Sequence, residues 1–351
     1  MQFTRRHFLQ AMSALAASAV LHPAFASASV PRRYVTGTRT GIASYNFVTG
    51  QIEETKTGFL PHSFVKVPGP AGRIWAIEKF GSNGAIVDVF QRRVIRHFKC
   101  PEPYVFYGHG TCQGERLLVA SRSTEDGSSS LLAFNPESYK VEDAYHVIEG
   151  GVHDVQTLPD GSMLVAASEI DFDPELFGIT PLGQEKLHST GLVHLDVGGA
   201  FLKRILVDAK DEAAAHFLLT GKGIIGLTMP WGKAVHGNLY YAPTIDETLY
   251  KVAVPEDIAQ RFVYEFLSGA VDPATETAAL TNPKGGQVIL LDSRTGEFKG
   301  AVQNSSNGIV YNPDLQRFVT SDGGIKTIDS AGGTQMLAEG RASDGSHGIL
   351  I

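Results

Sequence analysis

The stretch His109-Gly110-Thr111-Cys112 places a histidine at the start of an apolar, β-like run, and this arrangement recurs along the chain. The other copies are His62-Ser63-Phe64-Val65, His153-Asp154-Val155-Gln156, His216-Phe217-Leu218-Leu219 and His347-Gly348-Ile349-Leu350. Asn307-Gly308-Ile309-Val310 shows the same pattern with Asn in place of His. Successive copies are 47, 44, 63, 91 and 40 residues apart. A period of about 40–50 residues is that of a four-stranded propeller blade.

This recurrence predicts an all-β fold, a seven-bladed β-propeller. The first strand of each propeller blade lines the central axis, so residues that begin these strands converge although they lie far apart in sequence. The two longest gaps fit the same plan. Residues 169–190 are predicted to form an insertion in the fourth blade, and the 91-residue gap contains a sixth blade that begins near Ser268 without a histidine.

Both ends of the predicted propeller belong to one blade. Residues 33–58 contain strand patterns but no inner strand of their own, and residues 347–351 form one short apolar strand. Strands from the two ends that complete one blade leave no open sheet edge. We therefore expect a single domain over residues 31–351, closed by N- and C-terminal strands in one blade.

The first 30 residues read as a twin-arginine signal peptide rather than as part of the fold. Arg5 and Arg6 lie in Thr4-Arg5-Arg6-His7-Phe8-Leu9, followed by an apolar stretch over 11–20 and the small-residue site Ala24-Phe25-Ala26. The apolar stretch is shorter than the about 20 residues of a membrane-spanning helix. The signal predicts a periplasmic protein without a membrane span after cleavage, and the sequence leaves open whether cleavage occurs.

The charge of the chain argues against a nucleic-acid partner. The formal net charge is −7, and no basic run follows the signal peptide. Nucleic-acid binding relies on clustered Lys and Arg, so no nucleic-acid partner is expected.

The two cysteines are predicted on different blades. Cys100 is predicted on an outer strand and Cys112 on the next blade's inner strand, farther apart than the roughly 5.5 Å between Cα atoms that a disulfide requires. The sequence favours buried free thiols and leaves open whether Cys100 and Cys112 form a disulfide.

The recurring histidines are expected to face one mouth of the central channel. Imidazole nitrogens suit Zn, Cu, Fe and Ni, and a neighbouring carboxylate either binds the ion or orients a histidine. The predicted ligand-binding residues are His62, His109, His153, Asp154, His216, Asn307, His347, Tyr107 and, from the insertion, Lys186. The expected partner of a monomeric protein is a small ligand or a periplasmic protein, with a transition metal as the candidate cofactor.

A structural role for the histidines is the competing interpretation, because repeated blades also repeat residues that bond a neighbouring blade. Seven-fold geometry spreads side chains around the axis, whereas His–metal bonds are about 2.0–2.1 Å long. Only two or three of the histidines are therefore expected to bind one ion. His109 and His153, on neighbouring blades, are the predicted metal ligands.

Several segments resemble the domain-of-unknown-function 1513 family of twin-arginine-exported bacterial proteins. The resemblance rests on Tyr107-Gly108-His109-Gly110, Gly151-Val152-His153-Asp154, Gly183-Gln184-Glu185-Lys186-Leu187 and Pro283-Lys284-Gly285-Gly286, and it spans about residues 34–351. The chain departs where family members usually have Pro-His-Glu, since it has Val152-His153-Asp154. The resemblance implies a seven-bladed propeller in the periplasm, encoded near proteins of iron uptake. It implies no reaction.

The sequence thus favours a periplasmic propeller that binds a ligand, metal ion or protein partner at the His-lined channel mouth, accessory to iron or metal handling. One alternative is a metal-dependent enzyme, either lactonase-like or an oxidoreductase. Such hydrolases usually bring Glu, Asn and Asp to the axis, whereas Asp154 is the one acid predicted there. The other alternative is a protein-interaction scaffold with structural histidines.

Overall fold

Four-stranded antiparallel sheets make up nearly all of the structure. The computed structural model describes residues 33–169, 190–209, 211–230, 234–340 and 347–351. In this part of the chain 28 strands form seven sheets of four, one for each blade of a propeller. The predicted all-β, seven-bladed fold is confirmed.

The first four blades follow the order of the chain, except that the strand nearest the C-terminus joins blade 1. Blade 1 contains β1 (Arg33–Thr38), β2 (Gly41–Asn46), β3 (Ile52–Lys56) and β28 (Gly348–Leu350). Blade 2 contains β4 (Pro61–Lys66), β5 (Arg73–Glu78), β6 (Asn83–Asp88) and β7 (Arg93–Lys99). Blade 3 contains β8 (Tyr104–Gln113), β9 (Arg116–Ser123), β10 (Ser128–Phe134) and β11 (Val141–Glu149). Blade 4 contains β12 (Gly151–Thr157), β13 (Met163–Ser168), β14 (Thr190–Leu195) and β15 (Phe201–Leu206).

The remaining blades are continuous in sequence, and one helical turn lies between blades 5 and 6. Blade 5 contains β16 (Glu212–Leu219), β17 (Ile224–Pro230), β18 (Leu239–Ala242) and β19 (Tyr250–Lys251), followed by α1 (Glu256–Ala259). Blade 6 contains β20 (Gly269–Asp272), β21 (Thr277–Asn282), β22 (Gln287–Asp292) and β23 (Phe298–Gln303). Blade 7 contains β24 (Ile309–Asn312), β25 (Arg317–Thr320), β26 (Gly324–Ile328) and β27 (Thr334–Glu339).

The apolar core lies between neighbouring blades. All six residues of β13 are buried, because its blade is covered on both faces by other blades, and the strand accordingly reads as a continuous apolar run. In one cluster Leu118 and Leu131 of blade 3 pack with Val165 and Val193 of blade 4. The outermost strand β27 has no buried residue. Burial is thus complete in β13 and absent in the outermost strand β27, and the histidines lie on the buried side, near the axis.

The ring closes in blade 1 through pairing of distant strands. β28 pairs antiparallel with β1, with Val35 opposite Ile349. Two further hydrogen bonds of 3.0 Å join Arg33 and Ile351, from each amide to the other residue's carbonyl oxygen. Terminal strands therefore complete one blade, as the sequence predicts.

The inner strands are irregular where the histidines occur. Register shifts in β4, β8, β12 and β16 lie at or directly beside His62, His109, His153 and His216. In β8, residues 107–109 lie opposite Ala120 alone. Bulges redirect side chains and are frequent next to functional sites. The sequence pattern had placed these histidines at strand starts, whereas His109 and His216 lie within their strands and owe their direction to the bulges.

Both cysteines are free thiols. Cys100 follows the outer strand β7 and Cys112 lies in the inner strand β8, as expected, and burial raises their pKa to about 12 and about 11, respectively. Within the described ranges, no helix has the length and apolar character that a membrane crossing requires.

Candidate functional site

Five histidine rings pack against one another on the propeller axis. They come from five consecutive blades, 1 to 5, and the nearest pair is His109 and His347, with 4.2 Å between ring centroids. His109 contacts the four other rings, at centroid distances of 4.2–5.2 Å. The full set is His62, His109, His153, His216 and His347. We call these five residues the axial histidine cluster.

Three rings of the cluster are fixed by hydrogen bonds at Nδ1. His109 Nδ1 lies 3.1 Å from Asp154 Oδ1, and His153 Nδ1 lies 3.2 Å from the carbonyl oxygen of Tyr107. His216 Nδ1 lies 3.2 Å from the carbonyl oxygen of Phe266. A carbonyl oxygen only accepts, so a neutral ring there donates from Nδ1 and keeps a lone pair on Nε2. This is the tautomer that a metal-binding histidine requires.

The Nε2 atoms of four cluster histidines are buried and have no hydrogen-bond partner among the described residues. This holds for Nε2 of His62, His109, His153 and His216. Buried polar atoms in native proteins nearly always have a partner, so each exception calls for an explanation such as an ion.

Two sets of three histidines have donor atoms within 4.8 Å of one another, and His109 belongs to both. We call His109, His153 and His216 the anchored triad, because each has an Nδ1 bond, and His62, His109 and His347 the second triad. Ion–nitrogen bonds of 2.0–2.1 Å place two donors at most about 4.1 Å apart. Three donors around a tetrahedral ion lie closer still, about 3.4 Å apart, so binding requires them to move together by up to about 1.4 Å.

Burial keeps His62, His153, His216 and His347 uncharged. It lowers the pKa of His62, His153 and His347 well below the usual value, and the charges of Lys79 and neighbouring imidazoles add to the effect. Burial, with His109 as the next cause, lowers the pKa of His216 to about 3. These rings offer lone pairs rather than protons at neutral pH, which is the form that binds metal.

Asp154 supports the cluster and both of its oxygens are used. Oδ1 meets His109, and Oδ2 accepts a 3.2 Å hydrogen bond from the amide of Phe217. Burial raises the pKa of this carboxyl, but the contacts with His109, His216 and the Phe217 amide outweigh it and leave the pKa below the usual range. Asp154 is thus a carboxylate that orients His109, a frequent arrangement beside metal-bound histidine.

The cluster lies between two cavities of different size. The larger, about 430 Å³, is lined by His109, Asp154, His216 and His347 together with inner-strand residues that follow the histidines. The smaller, about 70 Å³, is lined by His153, Lys79, Glu265 and neighbouring residues. The described lining of the larger cavity contains no Lys or Arg.

The remaining predicted site residues have other positions. Tyr107 contributes its carbonyl oxygen, while its ring is buried beside Phe80, with 5.3 Å between ring centroids. The backbone oxygen of Asn307 accepts a 3.0 Å hydrogen bond from the hydroxyl of Thr281, and Asn307 does not line the larger cavity. Lys186, like Arg5 and Arg6, lies outside the described residues.

Sequence reasoning missed three features of the site. Lys79 comes from the turn after β5 and the carbonyl of Phe266 from a segment before β20, and neither belongs to a recurring pattern. Gly108 does lie in a recognisable motif. A Cβ atom there would lie 1.9 Å from the carbonyl oxygen of His153, so only glycine allows blades 3 and 4 to approach so closely beside His109.

The family model described as "Protein of unknown function (DUF1513)" matches residues 76–345. The chain belongs to the DUF1513 family. The match includes three of the five cluster histidines, together with Asp154, and leaves out His62 and His347. No curated protein is significantly similar to this DUF1513 chain.

Solved structures similar to this DUF1513 protein are propellers with low sequence identity. Hydrazine synthase of Kuenenia stuttgartiensis has a TM-score of 0.64 at 10% identity, covering 89% of this chain and 99% of that chain. Dihydro-heme d1 dehydrogenase NirN in complex with DHE has a TM-score of 0.57 at 11% identity, covering 89% and 65%. The WD40 β-propeller domain of Doa1 has a TM-score of 0.56 at 8% identity, covering 84% and 86%. Such identities show the shared fold alone.

Proposed function

We propose that this protein binds a transition-metal ion at the axial histidine cluster, with His109, His153 and His216 as ligands. The carrying observation is the pairing of fixed Nδ1 atoms with buried, unpartnered Nε2 atoms in all three residues. Imidazole donors suit Zn, Cu, Fe and Ni. The ion would supply the missing partner of three nitrogens that already have the required tautomer.

A purely structural role explains the hydrogen bonds at Nδ1 but not the buried Nε2 atoms without partners. Hydrogen bonds from Nδ1 to the Tyr107 and Phe266 carbonyls link neighbouring blades, as a scaffold histidine would. Leaving several buried Nε2 atoms without partners costs stability, about 1–3 kcal/mol for each unsatisfied group. Apolar residues would fill this space without that cost, so the scaffold alternative does not account for the cluster.

The enzyme alternative lacks a free carboxylate in the described lining of the larger cavity. Asp154 is the only carboxylate among the described residues that line the larger cavity, and both its oxygens already accept hydrogen bonds. A general base must be within reach of the substrate proton that it removes. The arrangement therefore favours binding of the ion over hydrolysis at the ion.

Metal binding is tested by equilibrium dialysis of the purified protein at pH 7.5 against Zn(II), Cu(II), Ni(II), Co(II) and anaerobic Fe(II), followed by elemental analysis. We expect about one ion per chain in the wild type and loss of binding in His109→Leu. His146→Leu is the matched control, because the His146 side chain is 59% exposed on the outer strand β11. Less than a tenth of an equivalent of every metal in the wild type would contradict the proposal.

We also propose that the protein is exported to the periplasm by the twin-arginine route and there takes part in metal handling, iron included. The support is the sequence Thr4-Arg5-Arg6-His7-Phe8-Leu9 with its apolar stretch and cleavage site. The double variant Arg5→Lys, Arg6→Lys should accumulate in the cytoplasmic fraction as an unprocessed chain. Arg92→Lys, Arg93→Lys, an exposed arginine pair beyond the signal, serves as the control, and equal periplasmic amounts of all three chains would refute this route.

A further inference from the structure

We infer that the axial histidine cluster holds one ion at a time in two alternative positions, and that His109 keeps hold of the ion as it moves between them. The inference rests on the proposed metal binding and concerns what the fourth and fifth histidines do. Three imidazoles and a solvent ligand already satisfy a four-coordinate ion. His62 and His347 are therefore surplus to the anchored triad, yet their donor atoms form a second triad with His109.

The two positions exclude each other because both require His109. His109 would bridge two ions only by binding one through each ring nitrogen, and its Nδ1 is engaged by Asp154. Two cations a few ångströms apart would also repel strongly in the interior. Asp154 is the only carboxylate bonded to a cluster ring among the described residues, and Lys79 adds positive charge nearby. One ion per cluster follows.

Neighbouring rings provide a path between the two positions. The centroids of His153 and His62 are 5.5 Å apart, and those of His216 and His347 are 5.2 Å apart. Each ligand of the anchored triad, apart from His109, thus has a ring of the second triad beside it. Two successive replacements, His62 for His153 and His347 for His216, move the ion while it stays bound to three nitrogens.

Hydrogen bonds at Nδ1 hold the donors of the anchored triad in place. All members of the anchored triad have Nδ1 bonds to backbone carbonyls or to Asp154, so little ordering is required when an ion binds. Each triad contributes two residues to the lining of the larger cavity, His109 with His216 in the anchored triad and His109 with His347 in the second triad. We assign the anchored triad as the storage position, because its three donors are already oriented, and the second triad as the position that the ion occupies on its way to release. An ion with such a path is cargo that a partner collects, rather than a permanent cofactor.

Single-triad variants test this inference. His62→Leu leaves the anchored triad intact, and His153→Leu leaves the second triad intact. We expect one equivalent of Co(II) in the wild type and in each variant, with different visible spectra for the two variants. The double variant His62→Leu, His153→Leu should bind none. Transfer of Co(II) to excess chelator should be about tenfold slower from His62→Leu than from the wild type, because the stepwise path is lost.

Several outcomes would overturn the inference without touching the proposed function. These are two equivalents in the wild type, no binding by His153→Leu, or equal release rates from the wild type and His62→Leu. By contrast, absence of Co(II) from the wild type and from His62→Leu alike would refute metal binding itself. If either leucine variant fails to give the far-ultraviolet circular dichroism spectrum of the wild type, the matching asparagine variant replaces it, with the same expected results.

Discussion

His109 is the residue on which the site depends, because one of its ring nitrogens meets a carboxylate and the ring touches four other imidazoles. A side chain in that position must be held in one orientation to serve as a ligand. Asp154 provides this from the neighbouring blade, with its own direction fixed by the amide of Phe217 in a third blade. Three blades therefore cooperate to orient one ring.

Replacement of Asp154 by Asn should weaken metal binding by about 10–100-fold, the usual effect of losing a carboxylate that supports a metal-bound histidine. Asn keeps the shape but removes the charge that stabilises the Nδ1–H of His109. Competitive titration with a chelating dye measures the change. Asp143→Asn is the control, because Asp143 is exposed and pairs with Arg116 on the surface. Equal affinity of Asp154→Asn and wild type would show that Asp154 has no such role.

The metal-free protein should lose stability as the pH falls from about 6.5 towards 4. His216 has a folded-state pKa of about 3, and the pKa values of His62, His153 and His347 also lie well below the ordinary 6.5. Between the folded and unfolded pKa values the unfolded chain binds more protons, so the free energy of unfolding decreases as pH decreases.

We expect the midpoint of thermal unfolding to fall by about 5–10 °C between pH 7 and pH 4.5. His216→Leu should reduce this dependence because one of the titrating groups is gone. The control is the exposed His146→Leu, which should follow the wild-type curve. A steeper dependence in His216→Leu than in wild type would contradict the assignment.

The residue pattern predicted which histidines form the cluster but not how short the distances between their rings are. The five histidines were identified from their recurrence, whereas Lys79 and the Phe266 carbonyl were not, because they reach the axis from a turn and a connecting segment. Seven-fold symmetry led to the expectation of a wide ring of side chains. The histidines instead belong to five adjacent blades and lie within 4.2–5.5 Å of their neighbours, centroid to centroid.

At the level of strands, the bulges in β4, β8, β12 and β16 determine where the histidines point. A regular strand sends successive side chains to opposite faces, towards the two adjacent blades. An extra residue breaks this alternation and turns a side chain towards the axis. The sequence predicts the strands from their apolar alternation, but a bulge shows only once the opposite strand's register is known.

Gly108→Ala should disturb both the fold and the site. The added Cβ would overlap with the carbonyl oxygen of His153, at 1.9 Å, so the backbone of β8 must move away from blade 4. We expect a loss of about 1–3 kcal/mol in the free energy of unfolding, with weaker metal binding, measured by urea denaturation and by dialysis. Gly300→Ala, in the outer strand β23, adds a Cβ with nothing within 4 Å and is the control. Equal losses in both variants would rule out this explanation.

For the whole molecule, the predicted ring of seven blades and its closure by terminal strands both hold. Seven repeats of similar length leave few alternatives, and a lone apolar strand near the C-terminus needs a partner, which residues 33–58 provide. The insertion over 169–190 could not be assessed in the same way, since residues 170–189 lie outside the described part of the chain.

Opening the ring should destabilise blade 1 before the others. Deletion of residues 348–351 removes β28 and exposes the edge of β1, so amide hydrogens of β1 should exchange faster while those of β13 in blade 4 stay protected. Gly348→Ala offers a milder change, because its Cβ would lie 2.4 Å from the ring of Tyr34. Hydrogen exchange with mass spectrometry measures both, and uniform loss of protection in all blades would argue against local opening.

Closure of blade 1 also has a consequence for synthesis of the chain. About 300 residues separate β1 from β28, the strand that covers its inner edge. At about 5–20 residues per second, a ribosome needs roughly 15–60 seconds to make that length. During this interval the growing chain carries a strand with unpaired backbone groups, a template for pairing with other chains. The nascent protein therefore has a period of vulnerability that ends only when β28 emerges and pairs with β1.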